Sequence, residues 1–264
     1  MHPSVALRIA VTGLLALALA ACGSSSSPSG SSTTTGSGTG VTGAITVFAA
    51  SSLKEAFTTI GQQFEAANPG SKVTFNFGPS STLATQITQA APADVFAAAS
   101  SKTMDTVVNG GAATGPQTFA TNTMELATPT NPTTPVTSLA DLAKPGVKVA
   151  VCQKDVPCGV AANTLFTQNN LTVTPVSQEV DVKAVLSKVE LGEVDAGVVY
   201  VTDVKAAGDK VDGVPIAADQ NVTTTYPIAA ISASKQSATA AAFVAYVLSS
   251  AGQQVLSAAG FASP

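Results

Sequence analysis

The hydrophobic pattern of the chain alternates between short apolar runs and segments with apolar residues at helical spacing. The run at residues 44–50 predicts a buried strand, and Leu53, Phe57, Ile60 and Phe64 then share one face of a predicted helix. Further strands are predicted at residues 72–77, 94–97, 147–151 and 196–201. Further helices are predicted at residues 83–90, 101–109, 160–168, 182–189, 236–249 and 250–259. This β-α-β order predicts an α/β fold in which mostly parallel sheets are flanked by helices.

A stretch rich in proline and threonine at residues 128–137 interrupts this pattern, which restarts afterwards. We therefore predict two lobes, with the chain crossing between them near residues 119–126 and 222–229. The predicted segments are 44–121 for the first lobe, 122–225 for the second lobe and 226–264 for the return to the first. In open α/β sheets ligands bind at the carboxyl ends of the strands, so the cleft between the lobes is the expected site.

The beginning of the chain has the pattern of a bacterial export signal. Arg8 supplies a positive charge, and residues 9–20 form an apolar segment that is short for a membrane span. The segment ends in L-A-A-C, which resembles a lipobox, so we predict a lipoprotein signal at residues 1–22 and lipidation of Cys22. The alternative is an ordinary signal peptide with an incidental cysteine. Residues 23–43 are almost wholly Gly, Ser, Thr and Pro, which predicts a disordered tether to the outer face of the membrane.

Composition limits the chemistry of the exported part. Arg8 and His2 are the only arginine and histidine of the chain, so catalysis by a Ser-His or Cys-His pair is excluded. Composition alone leaves a carboxylate-pair hydrolase open, but apart from Asp181 no Asp/Glu pair lies beside the hydroxyl-rich turns described below. Without Arg8, eleven lysines face 16 acidic residues, and this negative balance argues against a nucleic-acid partner. We expect a binding protein rather than an enzyme.

Two cysteines remain in the folded part. Cys152 and Cys158 form an even pair in an exported and oxidising setting, so a disulfide between them is the default expectation. The exported part offers no histidine and no second cysteine pair to complete a zinc site beside them. We therefore expect no structural metal.

Hydroxyl-bearing residues stand at two predicted strand-to-helix turns of the first lobe. Ser52 follows the first strand, and its spacing from Glu55 fits a capping box, so Ser52 is either a helix cap or a ligand donor. Ser80 has the corresponding position in the turn at residues 78–82. Serine is common at helix N-termini, so neither turn alone indicates a ligand.

The second lobe adds two further turns and one strand end. Cys158 and Gly159 follow a predicted strand, and the glycine allows a close backbone approach. Asp181 can cap a helix that offers the backbone N–H of Val182, while Tyr200 is either a phenol donor or a packed core residue. Unpaired N–H groups and the macrodipole at helix N-termini favour negative charge. Taken together, these turns predict a site for an oxyanion.

The chain resembles the substrate-binding proteins of molybdate ABC transporters in a set of spaced motifs. These lie at residues 47–53 (VFAASSL), 80–84 (SSTLA), 91–96 (APADVF), 156–159 (VPCG), 180–182 (VDV), 197–200 (GVVY) and 226–229 (YPIA). The resemblance covers essentially all of residues 44–264. It implies a two-lobed type II periplasmic-binding-protein fold that closes on a tetrahedral dianion. It also implies an ABC transporter permease as partner and a ligand in place of a cofactor, and we expect a monomer.

The same resemblance implies a ligand set by position. Ser52 and Ser80 would bind molybdate through hydroxyl and backbone N–H groups, Cys158 and Val182 through backbone N–H groups, and Tyr200 through its hydroxyl. The sequence departs from the family in two places. The position of Cys158 is often a small residue such as alanine, and residues 97–100 replace a run that often carries an aspartate, so no role is assigned to that run.

The chemistry of these groups agrees with molybdate, which is unprotonated at neutral pH and needs hydrogen-bond donors only. Phosphate is partly protonated at neutral pH and would also need an acceptor. Sulfate has the same charge and shape as molybdate with shorter bonds, and tungstate has nearly the same size. We therefore expect tungstate to bind as well, and a receptor for sulfate or phosphate stays open as the alternative.

Overall fold

The computed structural model describes residues 40–264, which form nine strands and eight α-helices. The strands are β1 Gly43–Ala50, β2 Ser71–Gly78, β3 Val95–Ala97, β4 Gln117–Pro129, β5 Val149–Cys152, β6 Ser177–Glu179, β7 Ala196–Tyr200, β8 Val211–Pro215 and β9 Thr223–Ala230. The helices are α1 Lys54–Ala67, α2 Ser80–Thr88, α3 Ser101–Asn109, α4 Pro157–Gln168, α5 Val182–Glu190, α6 Val201–Ala207, α7 Ser237–Leu248 and α8 Ser250–Ala259. Short 3₁₀ helices occur at Ser51–Leu53, Leu139–Ala143 and Gly208–Lys210.

The predicted signal at residues 1–22, the lipidation of Cys22 and most of the predicted tether lie outside the described residues. The first strand begins at Gly43, at the predicted end of the tether. Within residues 40–264, no helix combines the length and the apolar character that a membrane crossing requires.

The strands form one curled sheet with the order β2-β1-β3-β9-β4-β7-β5-β6, and β8 pairs with β4. The outer strands are parallel, as predicted: β1 pairs with β2 and β3, and β5 pairs with β6 and β7. The two central strands, β4 and β9, run antiparallel to each other and to their other neighbours. Each lobe thus has a parallel half, and the antiparallel pair β4 and β9 joins the two halves in the middle of the sheet.

Separate hydrophobic cores lie in the two lobes. The core of the first lobe joins β1, α1 and the C-terminal helices, and the ring of Phe243 packs edge-on against Phe57 and Phe64. The core of the second lobe packs α4 and α5 on β5 and β7, and Leu165 and Val198 are fully buried in it. The two-lobed α/β fold predicted from the sequence is therefore present.

The structure also contains elements that the hydrophobic pattern did not predict. The strands β6 and β8 are short and carry polar residues, so neither has the apolar run that indicates a strand. The predicted strand at residues 196–201 ends at Tyr200, and Val201 begins α6. The predicted crossings near residues 119–126 and 222–229 fall within β4 and β9. The exact lobe boundaries at residues 121 and 225 stay a prediction.

Candidate functional site

A small pocket opens where strand ends and helix starts of the two lobes meet, and its volume is about 240 Å³ with its open mouth included. All five residues predicted to bind the ligand line it: Ser52, Ser80, Cys158, Val182 and Tyr200. The first two come from the first lobe and the other three from the second. Their role in binding stays a prediction, but the structure brings the whole predicted set together.

Ser52 does not cap a helix. It lies in the 3₁₀ turn before α1, and the residue that precedes α1 is Leu53, which makes no side-chain cap. The predicted capping box with Glu55 is therefore wrong. The Ser52 hydroxyl instead lies 3.0 Å from the hydroxyl of Tyr226, and both residues are buried. Glu55 pairs with Lys183 at 2.8 Å.

Ser80 is the first residue of α2, and its side chain points back toward the strand ends. Its Oγ accepts a hydrogen bond of 3.1 Å from the backbone N–H of Ala99. An N–H group can only donate, so the hydroxyl hydrogen of Ser80 stays available for another acceptor. Ala99 itself lines the pocket, although no role was predicted for residues 97–100.

The turn that presents Cys158 is held by a disulfide to Cys152, with the two Cα atoms 5.7 Å apart. Cys158 is the second residue of α4, after Pro157 at the first position. Backbone N–H groups in the first turn of an α-helix have no acceptor inside the helix. Gly159 packs so tightly against the preceding turn that a Cβ atom there would lie 1.8 Å from the carbonyl oxygen of Gln153.

Val182 begins α5 on the other side of the pocket. The helix is capped by Asp181, whose carboxylate accepts a hydrogen bond of 3.0 Å from the backbone N–H of Ala184. The same carboxylate accepts a bond of 2.7 Å from Ser51 Oγ of the first lobe. The cap predicted for Asp181 is therefore present, and the carboxylate also links the two lobes at the pocket wall.

Tyr200 is the last residue of β7 and is only 1 % exposed. Its hydroxyl has no hydrogen-bond partner among the residues that the structure describes. Burial raises the pKa of Tyr200 well above its ordinary value, so the phenol keeps its proton at neutral pH. A protonated phenol in the pocket wall can donate a hydrogen bond to a bound anion.

A charged cluster lies beside the pocket. Lys183 Nζ is 2.8 Å from Glu55 of the first lobe and 3.0 Å from Asp203 of the second. Asp203 is fully buried, and burial raises its pKa, while Lys183 acts in the opposite direction. Burial alone would lower the pKa of Lys183, but the two carboxylates outweigh it and the pKa is raised. Lys183 therefore stays charged and bridges the lobes.

A larger open cleft lies next to the pocket and shares Pro157 with it, and its volume is about 980 Å³ with the open solvent at its mouth included. Threonine and serine hydroxyls line it, together with Lys102 and Asp155. None of the five predicted ligand residues belongs to it, so the smaller pocket is the candidate site. In residues 40–264 there is also no cluster of three or more His, Cys, Asp or Glu side chains that could hold a metal ion.

Three residues of the site escaped the sequence analysis. Ser51 stands next to Ser52 but bonds to Asp181, 130 residues away, and Ala99 lies in the run 97–100 without an assigned role but bonds to Ser80. Tyr226 lies 174 residues from Ser52. No local pattern predicts such pairs, and the sequence drew attention to Tyr226 only through the family motif at residues 226–229.

Comparisons with known proteins agree with this geometry. A family model described as bacterial extracellular solute-binding protein matches residues 45–262. The molybdate-binding protein ModA of Mycobacterium tuberculosis H37Rv is 46 % identical over 222 residues, which cover 84 % of this chain and 85 % of that protein. ModA of Escherichia coli K12 is 32 % identical over 238 residues, with 83 % and 89 % covered.

Solved structures support the fold. The periplasmic molybdate-binding protein of Azotobacter vinelandii matches with a TM-score of 0.74 at 21 % identity, covering 83 % of this chain and 99 % of that chain. The sulfate-binding protein SubI of M. tuberculosis matches with a TM-score of 0.70 at 18 % identity, covering 83 % and 86 %. These relatives are solute-binding proteins rather than enzymes. The chain belongs to the family of bacterial extracellular solute-binding proteins.

Proposed function

We propose that the protein captures molybdate outside the cytoplasm and delivers it to the permease of an ABC transporter. The observation that carries this proposal is the composition of the pocket wall, in which hydroxyl and helix N-terminal N–H groups of both lobes converge. The naming of relatives at 46 % and 32 % identity as molybdate-binding proteins supports the same ligand.

The site suits an anion that only accepts hydrogen bonds. The oxygen of Ser80 is already occupied by the N–H of Ala99, so its hydrogen can be donated. The unpaired hydroxyl of Tyr200 is a second donor, and the N–H groups of Cys158 and Val182 lie at helix N-termini, where the macrodipole favours negative charge. Bonds from these groups to a desolvated dianion are charge-assisted and therefore strong. In this family the anion is a transported ligand, and no cofactor takes part.

Three finer features belong to the same proposal. We expect tungstate to bind as well, because it has nearly the size and charge of molybdate. Lipidation of Cys22 and a flexible tether through residue 43 would hold the receptor at the outer face of the membrane, near the permease. We expect a monomer, because each chain supplies the whole predicted ligand set.

The alternative is a receptor for sulfate or phosphate, and Asp181 bears on that choice. A protonated phosphate oxygen needs an acceptor, and the carboxylate of Asp181 lines the pocket. Both of its oxygens already accept hydrogen bonds, one from Ser51 and one from the N–H of Ala184. Each carboxylate oxygen keeps a second lone pair, so a protonated phosphate would find an acceptor here and stays the alternative.

Thermal unfolding of the purified full chain tests the proposal with molybdate, tungstate, sulfate and phosphate at equal ionic strength. At about 100 times the dissociation constant, molybdate should stabilise the fold by about 2.7 kcal/mol, and tungstate should act similarly. A melting temperature that does not move with saturating molybdate would refute the proposal. A shift with phosphate or sulfate alone would establish the alternative.

Tyr200→Phe tests the site itself. Phenylalanine keeps the ring packing and removes only the hydroxyl, so a packed core tyrosine would show no binding defect. A donor to a buried dianion should show a loss of about 1.5–3 kcal/mol in binding free energy by titration calorimetry. Equal affinities in the variant and the parent protein would remove Tyr200 from the site.

A further inference from the structure

A buried hydroxyl pair lies at the wall of the pocket, and the ligand set above leaves one member without a role. Ser52 Oγ and Tyr226 Oη are 3.0 Å apart, and either atom can be the donor. Ser52 is 4 % exposed and Tyr226 is 0 % exposed, so solvent does not replace this bond. The direction of the bond decides what Ser52 offers to a ligand.

A serine hydroxyl has one hydrogen and two lone pairs. If Ser52 donates its hydrogen to Tyr226, it turns only lone pairs toward the pocket, and these repel an oxyanion. If Tyr226 donates instead, a lone pair of Ser52 is occupied and the Ser52 hydrogen is free to point into the pocket. Only the second direction makes Ser52 a ligand donor.

Ser80 shows the same arrangement without ambiguity. Its Oγ accepts from the N–H of Ala99, which cannot accept in return, so its hydrogen remains available. Ser52 and Ser80 are the two predicted hydroxyl donors of the first lobe, and both line the pocket. In each case a buried partner contacts the serine oxygen.

We propose that Tyr226 is a positioning residue, whose hydroxyl donates to Ser52 Oγ and thereby directs the Ser52 hydrogen toward the bound oxyanion. The inference rests on the proposed function and adds to it a residue that does not contact the ligand itself. Tyr226 thus occupies a lone pair of the Ser52 oxygen, as the N–H of Ala99 does for Ser80, and leaves the Ser52 hydrogen free to be donated.

The surroundings of Tyr226 hold its hydroxyl in place. The residue lies on β9 opposite Ala120 of β4, and its ring makes edge contacts with Phe261 at 5.2 Å and Tyr200 at 6.1 Å between centroids. Burial raises the pKa of Tyr226, so the phenol is protonated and has a hydrogen to give.

A double-mutant cycle tests the inference. Titration calorimetry with sodium molybdate is run on the parent protein, Ser52→Ala, Tyr226→Phe and the double variant. Tyr226→Phe should weaken binding about fivefold in the parent background. In the Ser52→Ala background the same substitution should change affinity by less than about twofold, because Tyr226 acts through Ser52. Tyr246→Phe is the matched control, since its hydroxyl makes an exposed 3.3 Å bond to Gln63.

The outcomes are distinct. Parent-like affinity of Tyr226→Phe, or an equal loss in both backgrounds, overturns the inference while leaving molybdate binding intact. A parent protein that binds none of the four oxyanions overturns the proposed function and the donor role of Ser52 with it. A merely structural tyrosine would lower stability in denaturant without the dependence on Ser52.

A neutron crystal structure of the deuterated molybdate complex gives a second measurement that needs no variant. A deuterium on Tyr226 Oη pointing at Ser52 Oγ, with the Ser52 deuterium toward the anion, supports the inference. A Ser52 deuterium pointing at Tyr226 overturns it, whatever the behaviour of the variants.

Discussion

Replacing Gly159 by alanine tests whether the turn between β5 and α4 aims a backbone donor at the pocket. A Cβ atom at this position would lie 1.8 Å from the carbonyl oxygen of Gln153 and 2.9 Å from that of Cys152. Ordinary contacts begin at 3.4 Å, so the two backbone segments must separate by roughly 1.5 Å. The disulfide between Cys152 and Cys158 limits that separation.

The expected effects follow from this geometry. Overpacking of a tight interior typically costs about 1–3 kcal/mol, and backbone atoms have less freedom to move than side chains. For a chain of this size we expect the melting temperature to fall by roughly 2–4 °C per kcal/mol. If the N–H of Cys158 binds the anion as proposed, displacing it should weaken molybdate binding by about ten- to a hundredfold, because that bond would be charge-assisted.

The assay combines chemical denaturation with titration calorimetry on the full chain. Gly40→Ala serves as the matched control, because the nearest atom to a Cβ at residue 40 is 3.6 Å away and the residue lies outside the pocket. Loss of stability in Gly159→Ala with parent-like affinity would mean that this turn does not present a ligand donor. Unchanged stability would show that the turn relaxes more easily than its backbone contacts indicate.

Three further predictions concern the same pocket. Ser80→Ala should lower molybdate affinity by about 1.5–3 kcal/mol, and the neighbouring Ser81→Ala should have a smaller effect, as calorimetry can measure; equal effects would contradict the donor role. Lys183→Met should lower the free energy of unfolding by about 3–5 kcal/mol, because the buried carboxylate of Asp203 loses its countercharge. Glu55→Gln should lower it by less than about 1 kcal/mol, because Glu55 is the half-exposed member of the cluster. Molybdate affinity should stay constant up to about pH 10, because burial raises the pKa of Tyr200 and the hydroxyl keeps its hydrogen; a fall near the pKa of free tyrosine would disprove this protection.

Much of the fold could be predicted because the decisive signals are local. The helices predicted at residues 236–249 and 250–259 agree closely with α7 and α8, since apolar spacing and the intervening serines define them. The central strands β4 and β9 were predicted only as crossings between lobes. Their antiparallel pairing depends on contacts between segments about 100 residues apart, which no window of sequence contains.

The candidate site, like the fold, could be predicted only as far as local sequence signals reach. Five of the residues that line the pocket were predicted. Their turns were found because strand ends and helix starts collect unpaired N–H groups and hydroxyls, and the ligand set itself came from the resemblance to the family. The capping box of Ser52 was wrong because the spacing to Glu55 carries no information about the 3₁₀ turn or about Tyr226. The Ser52 hydroxyl bonds to the phenol of Tyr226, which is distant in the chain, and not to the N-terminus of α1.

The C-terminal segment that follows β9 has a consequence for how the chain reaches its native state. The first lobe is closed by its last residues, since Phe243 packs against Phe57 and Phe64, and Ala262 pairs with Thr121. A chain that is exported N-terminus first therefore exposes the apolar faces of the first lobe until almost all of it has crossed the membrane. Such non-local closure is slow and leaves those faces open to aggregation. A truncation before α7 would retain every residue of the pocket and still lose the half of it that the first lobe supports.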